Sequence, residues 1–209
     1  FKKAEHKYKL SPIAAAKDAG SLVGKLIGVE VEYYPQSIAK ALAADKGLTS
    51  VVADGSIGSN GREVRRVTWV SKNNRLQGLL NIAPVFEGGT VDRRCGLHVH
   101  IDARHLPKIG EGTSLVCDAA ETYDRIVLFS KYLKKVIPRS RWNNRYCRFV
   151  SNRPGSVGFR ESTGRYAAIN WESYSEHGSI EFRCGSASTN ILKIESWALL
   201  CRFILNYCA

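Results

Sequence analysis

The sequence predicts an α+β fold, a mainly antiparallel β-sheet backed by helices, on three observations. Several short segments alternate apolar and polar residues with the period of a strand. Two longer segments carry apolar residues at helical spacing. Turn signals place some strands as hairpin-like neighbours rather than as strands separated by crossover helices.

Leu26 to Tyr34 (LIGVEVEYY) alternates and is rich in β-formers, so it reads as a strand. Pro35 to Asp45 reads as a helix with Pro35 at its start and Gly47 as its stop. Thr49 to Ala53 is a short strand. Asp54-Gly55-Ser56 and Ser59-Asn60-Gly61 signal turns before the next strand, Arg62 to Val70. Asn73 to Ile82 is expected to be a helix ending before Pro84. Gly96 to Asp102 (GLHVHID) is a strand. Thr113 to Ile137 reads as a long amphipathic helix capped by Thr113 or Ser114 and ended by Pro138. Arg139 to Gly164 is an irregular basic loop. Tyr166 to Tyr174 and Ser179 to Cys184 suggest a hairpin around Glu176-His177-Gly178. Asn190 to Tyr207 is a closing apolar helix with Thr189 or Asn190 as cap. Phe1 to Lys25 reads as an arm, and residues 26–209 as one domain.

The 209 residues suffice for one domain with a sizeable core. Hydrophobic residues make up 44% and charged residues 24%, which excludes a disordered chain. Lys plus Arg number 31 against 19 for Asp plus Glu, a formal charge of +12. That balance favours a polyanion: nucleotide, nucleic acid or an anionic surface. None of the six cysteines sits in a CxxC pair, so buried free thiols in a reducing compartment are expected. No signal-peptide pattern and no uninterrupted spanning run is present, although the chain lacks any Met and is expected to be processed or partial. A cytoplasmic protein without a membrane partner is the resulting expectation.

Strand parity gathers the polar residues. Val29 and Val31 face one way, Glu30 and Glu32 the other. His98, His100 and Asp102 oppose Leu97, Val99 and Ile101. Glu181 and Arg183 oppose Ile180 and Phe182; Glu63 shares a face with Arg65, and Asn170 with Glu172. A solvated face accounts for any one of these strands. Closely spaced Glu and His on four strands are a different matter, because like charges repel unless a cation lies between them. Several carboxylates favour Mg²⁺ or Mn²⁺ over zinc. No HExxH, P-loop or GxGxxG occurs, so phosphates would be held by metal and arginine, with Arg183 as a clamp. Cys95 and Cys184 adjoin these strands but read as structural thiols.

The ordered set Gly28-Val-Glu30-Val-Glu32, Asp54-Gly-Ser56, Glu63, Cys95-Gly-Leu-His98-Val-His100-Ile-Asp102, Arg165 to Asn170 and Glu181-Phe-Arg183 resembles the amidoligase family. The resemblance runs from about Leu26 to Tyr207. Where the family often has a Ser/Thr-Pro element, Arg66-Val-Thr-Trp69 stands here. The resemblance implies a catalytic sheet like that of glutamine synthetase and glutamate–cysteine ligase. It also implies an ATP-dependent carboxylate–amine ligase working through an acyl phosphate, on small-molecule or peptide substrates. Glu30, Glu32, Glu63, His98 and Glu181 would be metal ligands. His98, His100 and Arg183 would contact nucleotide, and Arg183, Arg165 and Asn170 would serve catalysis. A bacterial or phage origin, and for a phage protein a virion-associated place, goes with that family, as does an oligomer. The competing expectations are a nucleic-acid-binding or virion protein using the Arg-rich loop with Trp142, Tyr146 and Phe149, and a two-metal nuclease or phosphatase.

Overall fold

The computed structural model describes residues 26–45, 49–71, 73–113, 116–142, 144–150 and 164–209. The expected N-terminal arm and the part of the basic loop that holds Arg153 and Arg160 lie outside these residues.

The fold is α+β. Six strands form an open antiparallel sheet: β1 (Leu26–Tyr33), β2 (Ser50–Ala53), β3 (Arg62–Trp69), β4 (Gly96–Asp102), β5 (Ile169–Asn170) and β6 (Ser179–Ser186), in the order β2-β3-β1-β4-β6-β5. Among the described residues the helices are α1 (Ile38–Asp45), α2 (Ala119–Leu133), α3 (Glu172–His177) and α4 (Ile191–Cys208). The alternation read from the sequence is the alternation of the sheet. Ile27, Val29 and Val31 of β1 share one side with Val64, Val99, Ile101, Ile180 and Phe182, all buried. Buried residues of α2 and α4, among them Tyr123, Ile126, Ile194, Ala198 and Ile204, complete this single core. All six cysteines are free and buried.

Four elements differ from expectation. First, α1 starts at Ile38 rather than at Pro35, because Ser37 serves as its cap: its Oγ accepts from Lys40 N at 3.4 Å and its carbonyl from Ala41 N at 3.0 Å. Second, the helix expected over Asn73–Ile82 is a run of turns leading into a 3-10 turn, Leu80–Phe86, with Pro84 inside it. Asn74 at φ 55° and Gly78 at φ 70° are left-handed and break any α-helix there.

Third, α2 begins at Asp118, not at Thr113 or Ser114. The Asp118 carboxylate accepts from Ala120 N and Glu121 N, and Glu121 returns a bond to Asp118 N, forming a capping box. Fourth, the expected hairpin is correctly paired but wrongly filled. β5 does pair with β6, yet only Ile169 and Asn170 are strand, and α3 occupies the connection. Gly178, at φ 67°, ends α3 and lets β6 start at once. The closing helix and its Asn190 cap are as read from the sequence.

Between β4 and β6 the register shifts by one residue, from Leu97↔Gly185 to Val99↔Phe182, so β6 bulges around Arg183 and Cys184. The Arg183 carbonyl accepts a bond of 2.8 Å from the guanidinium of Arg141, which is 1% exposed. Beside the bulge, Gly185 packs directly on α4. A Cβ there would lie 2.5 Å from Trp197 Nε1 and 2.6 Å from the Leu97 carbonyl oxygen. Gly185→Ala is therefore expected to destabilise the fold by about 1–3 kcal/mol in urea titration. Gly55→Ala, with nothing within 4 Å of its Cβ, serves as the near-neutral control.

Candidate metal centre

The second face of the sheet is polar, and it is buried. Glu30, Glu32, Glu63, His98, His100, Glu181 and Arg183 are each 8% exposed or less. A solvated face would leave them in water.

Cross-strand register brings them together. Glu30 lies opposite Arg65 on β3 and opposite His98 on β4; Glu32 lies opposite Glu63; His100 lies opposite Glu181, which faces Asn170 on β5. His98 is central. Its Nδ1 is 3.4 Å from Glu30 Oε2 and 3.8 Å from Glu181 Oε1, and its Nε2 is 3.7 Å from Glu32 Oε1. His100 Nε2 lies 3.8 Å from Glu30 Oε1 and 3.6 Å from Glu181 Oε1. Its Nδ1 sits 3.0 Å from Ser173 Oγ and 3.3 Å from Ser179 Oγ, which fixes the ring.

The other groups hold the carboxylates in place. Arg183 Nη1 donates to Glu181 Oε1 at 2.6 Å, and Asn170 Nδ2 to Glu181 Oε2 at 2.6 Å. Gly96 N donates to Glu32 Oε2 at 2.6 Å. Arg65 pairs with Glu63 and stands 3.8 Å from Glu30. Around this cluster lies a cavity of about 300 Å³, lined also by Glu172, Ser173, Glu176 and His177 of α3 and by Tyr146 and Tyr166. Seven carboxylates and three guanidiniums line it, an acidic pocket in a chain of charge +12.

The charges are strongly coupled. Burial pushes Glu30 up, but the hydrogen bonds and charges of His100 and His98 outweigh it and hold the carboxyl well below its usual range. Glu181 is likewise lowered: burial raises it, and His100, Arg183 and His98 together prevail. His100 moves up, as the Glu181 and Glu30 carboxylates overcome its burial. Glu63 goes the other way. Burial and the Glu30 charge outweigh Arg65 and push it to about 7.

Two triads bring one ligand atom per residue within 4.8 Å of one another: Glu30, His98 and Glu181, and Glu32, Glu63 and His98. That span matches opposite ligands around one cation with bonds of about 2.0–2.2 Å. The oxygen-rich donor set suits Mg²⁺, and the shared imidazole also suits Mn²⁺. All five residues expected as metal ligands thus converge, with His100 and Arg183 beside them.

The remaining expected residues fall into place less directly. Asn170 is engaged with Glu181 and so orients a carboxylate. Arg165 is exposed at the cavity rim, its guanidinium 5.3 Å from the Tyr166 ring. Asp102 pairs with Arg104 and takes no part in the cavity. Asp54 and Ser56 reach the cavity edge as an Asx turn, Asp54 Oδ1 accepting from Ser56 N at 2.8 Å. The thiols of Cys95 and Cys184 are driven up by burial to about 11 and about 12, which removes both as nucleophiles. In the basic loop Arg141 is buried against β6, while Trp142 and Phe149 pack partly on the core, leaving Arg145 and Arg148 exposed.

Sequence reasoning gathered Arg65 and Glu172 by parity without giving them a part in the site, and placed Tyr146 only in the nucleic-acid reading. It missed Ser173, Glu176 and His177, which enter on α3 and which the hairpin expectation hid, and Tyr166, which comes from outside the sheet. Compared with models of known protein families and with curated proteins, the chain matches none.

Glu63 gives a pH test. Its folded pKa of about 7 exceeds the ordinary 4.5, so the folded chain keeps a proton that the unfolded chain has lost. That contribution to stability is complete below pH 4.5 and disappears as pH rises through about 7. Glu63→Gln is expected to gain stability relative to the parent protein across that window. In calorimetry, Mn²⁺ binding by the parent should release protons below about pH 7, and the release should be smaller in Glu63→Gln, the remainder coming from His100, whose pKa the neighbouring carboxylates raise.

Proposed function

We propose that this chain is an ATP- and Mg²⁺-dependent carboxylate–amine ligase of the amidoligase type, with a catalytic sheet related to that of glutamine synthetase. The carrying observation is the buried polar face, on which four carboxylates, two imidazoles and Arg183 from different strands converge. A buried acidic cluster of this kind costs too much to be a solvated surface, and it suits cation-assisted phosphoryl transfer.

When bound, the divalent cation would neutralise charge on the transferring phosphoryl group. Glu30, Glu181 and His98 would hold it, with Glu32 and Glu63 as a second set sharing His98. Arg183, which lines the cavity and is held by its bond to Glu181 and by the Arg141-held bulge, would stabilise phosphoryl oxygens. In the reaction, a substrate carboxylate oxygen takes the γ-phosphoryl group and ADP leaves. An amine nitrogen then attacks the acyl carbon, phosphate departs, and the nitrogen gives up a proton. Glu172 and Glu176 line the cavity outside the central cluster, as do Asp54 and His177, and would be the candidates to accept that proton.

Purified protein with Mg²⁺, ATP and mixtures of amino acids and amines should release ADP and phosphate only when both acid and amine are present. Glu30→Ala and Arg183→Ala should each lower that release by roughly 10²-fold or more. Metal-dependent cleavage of phosphate esters without ADP release would instead establish a hydrolase. Failure to bind ATP would contradict the ligase reading.

A further inference from the structure

A second surface lies away from the cavity, on the outer faces of α2 and α4. From Arg125 to Lys135, α2 and the turn after it carry four basic residues, Arg125, Lys131, Lys134 and Lys135, and no acidic one. The acids of α2, Glu121 and Asp124, stand in its first turns, and the single acid of α4, Glu195, is buried against Arg75.

On this basic ground stands an exposed apolar stripe. Leu128, Tyr132 and Val136, four residues apart along α2 and the turn beyond it, are 56%, 49% and 65% exposed. Lys131 and Lys135 flank them, with Nζ atoms 5.0 and 5.7 Å from the Tyr132 ring. The stripe continues onto α4 through touching rings: Tyr132 to Phe129 at 5.6 Å, Phe129 to Tyr207 at 6.4 Å, and Tyr207 to Phe203 at 6.2 Å. Phe203 and Tyr207 are 63% and 72% exposed. Such a contiguous apolar patch marks an interaction surface.

We propose that this face docks peripherally on an anionic lipid bilayer. Charge complementarity selects the occupant. A second copy would bring the same lysines against each other. The first 25 residues, with six lysines and two acids, are basic as well. The partner is therefore anionic, and it must also accept Leu128, Val136 and Phe203. A bilayer surface meets both needs. Aromatic rings sit at headgroup depth, aliphatic side chains enter the acyl boundary, and lysines reach out to lipid phosphates. The cations against the Tyr132 ring, Lys131 and Lys135, are hydrated point charges suited to a headgroup layer. The proposal departs from the expectation, read from the sequence, of no membrane partner. No helix among the described residues is long and apolar enough to cross a membrane, and peripheral docking requires none.

Co-sedimentation of the full chain with phosphatidylcholine vesicles, with and without phosphatidylserine, tests this. Binding to the mixed vesicles alone, weakened by salt, is expected. Lys131→Glu with Lys135→Glu should reduce it at least about tenfold, and so should Phe203→Ser with Tyr207→Ser. Circular dichroism and thermal melting of the same samples report that each variant is folded. The proposal is overturned if mixed vesicles are not bound, or if either pair leaves binding unchanged. It is also overturned if the serine pair abolishes a dimer or RNA binding while vesicle binding persists.

Discussion

Four carboxylates buried side by side on one sheet face constrain everything else in this molecule. Unscreened, they repel at distances of a few ångströms in a medium that attenuates the repulsion weakly. Two arginines, two histidines, an asparagine and the Gly96 amide are arranged around them, each within reach of a carboxylate oxygen. Even so, Glu63 is left with its pKa raised to about 7. Compensation by the protein's own side chains is incomplete, which supports the proposal of a divalent cation among them.

The fold is built to hold that face rigid. Its opposite side is a continuous apolar surface packed on α2 and α4, so the strands that carry the ligands are the strands that carry the core. Shifting β1 or β4 by one residue would drive Glu and His into the core and expose valines, so register is strongly fixed. Where β4 and β6 fall out of register, the buried Arg141 guanidinium satisfies the freed Arg183 carbonyl. Truncating Arg141 would leave that carbonyl without its partner and loosen the backbone that presents Arg183. Arg141 thus acts on the site through the backbone, and not as the surface phosphate contact that its place in a basic loop suggests.

The sheet was legible because its signal is local. Alternation in LIGVEVEYY and GLHVHID fixes strand and face, parity gathers the Glu and His residues on one surface, and the family resemblance then singles out the expected metal ligands among them. What stayed hidden depends on tertiary context. Six residues of α3 look like a strand end because Trp171 and Tyr174 are β-formers, yet their rings stack on each other at 4.7 Å and Trp171 packs on Tyr123. The 3-10 turn at Leu80–Phe86 follows from left-handed Asn74 and Gly78, a backbone choice that apolar spacing does not report. Burial of the polar face was also invisible, since α3, Tyr146 and Tyr166 line the cavity with it from distant parts of the chain.

The central claim is that the buried acidic face is a cation site. Its most direct test is anomalous X-ray scattering from crystals grown with Mn²⁺. The account predicts a peak about 2.2 Å from carboxylate oxygens of Glu30 and Glu181 and from a ring nitrogen of His98, lost in crystals of Glu30→Gln. Crystals with Mn²⁺ at saturating concentration and no peak among these residues would contradict it.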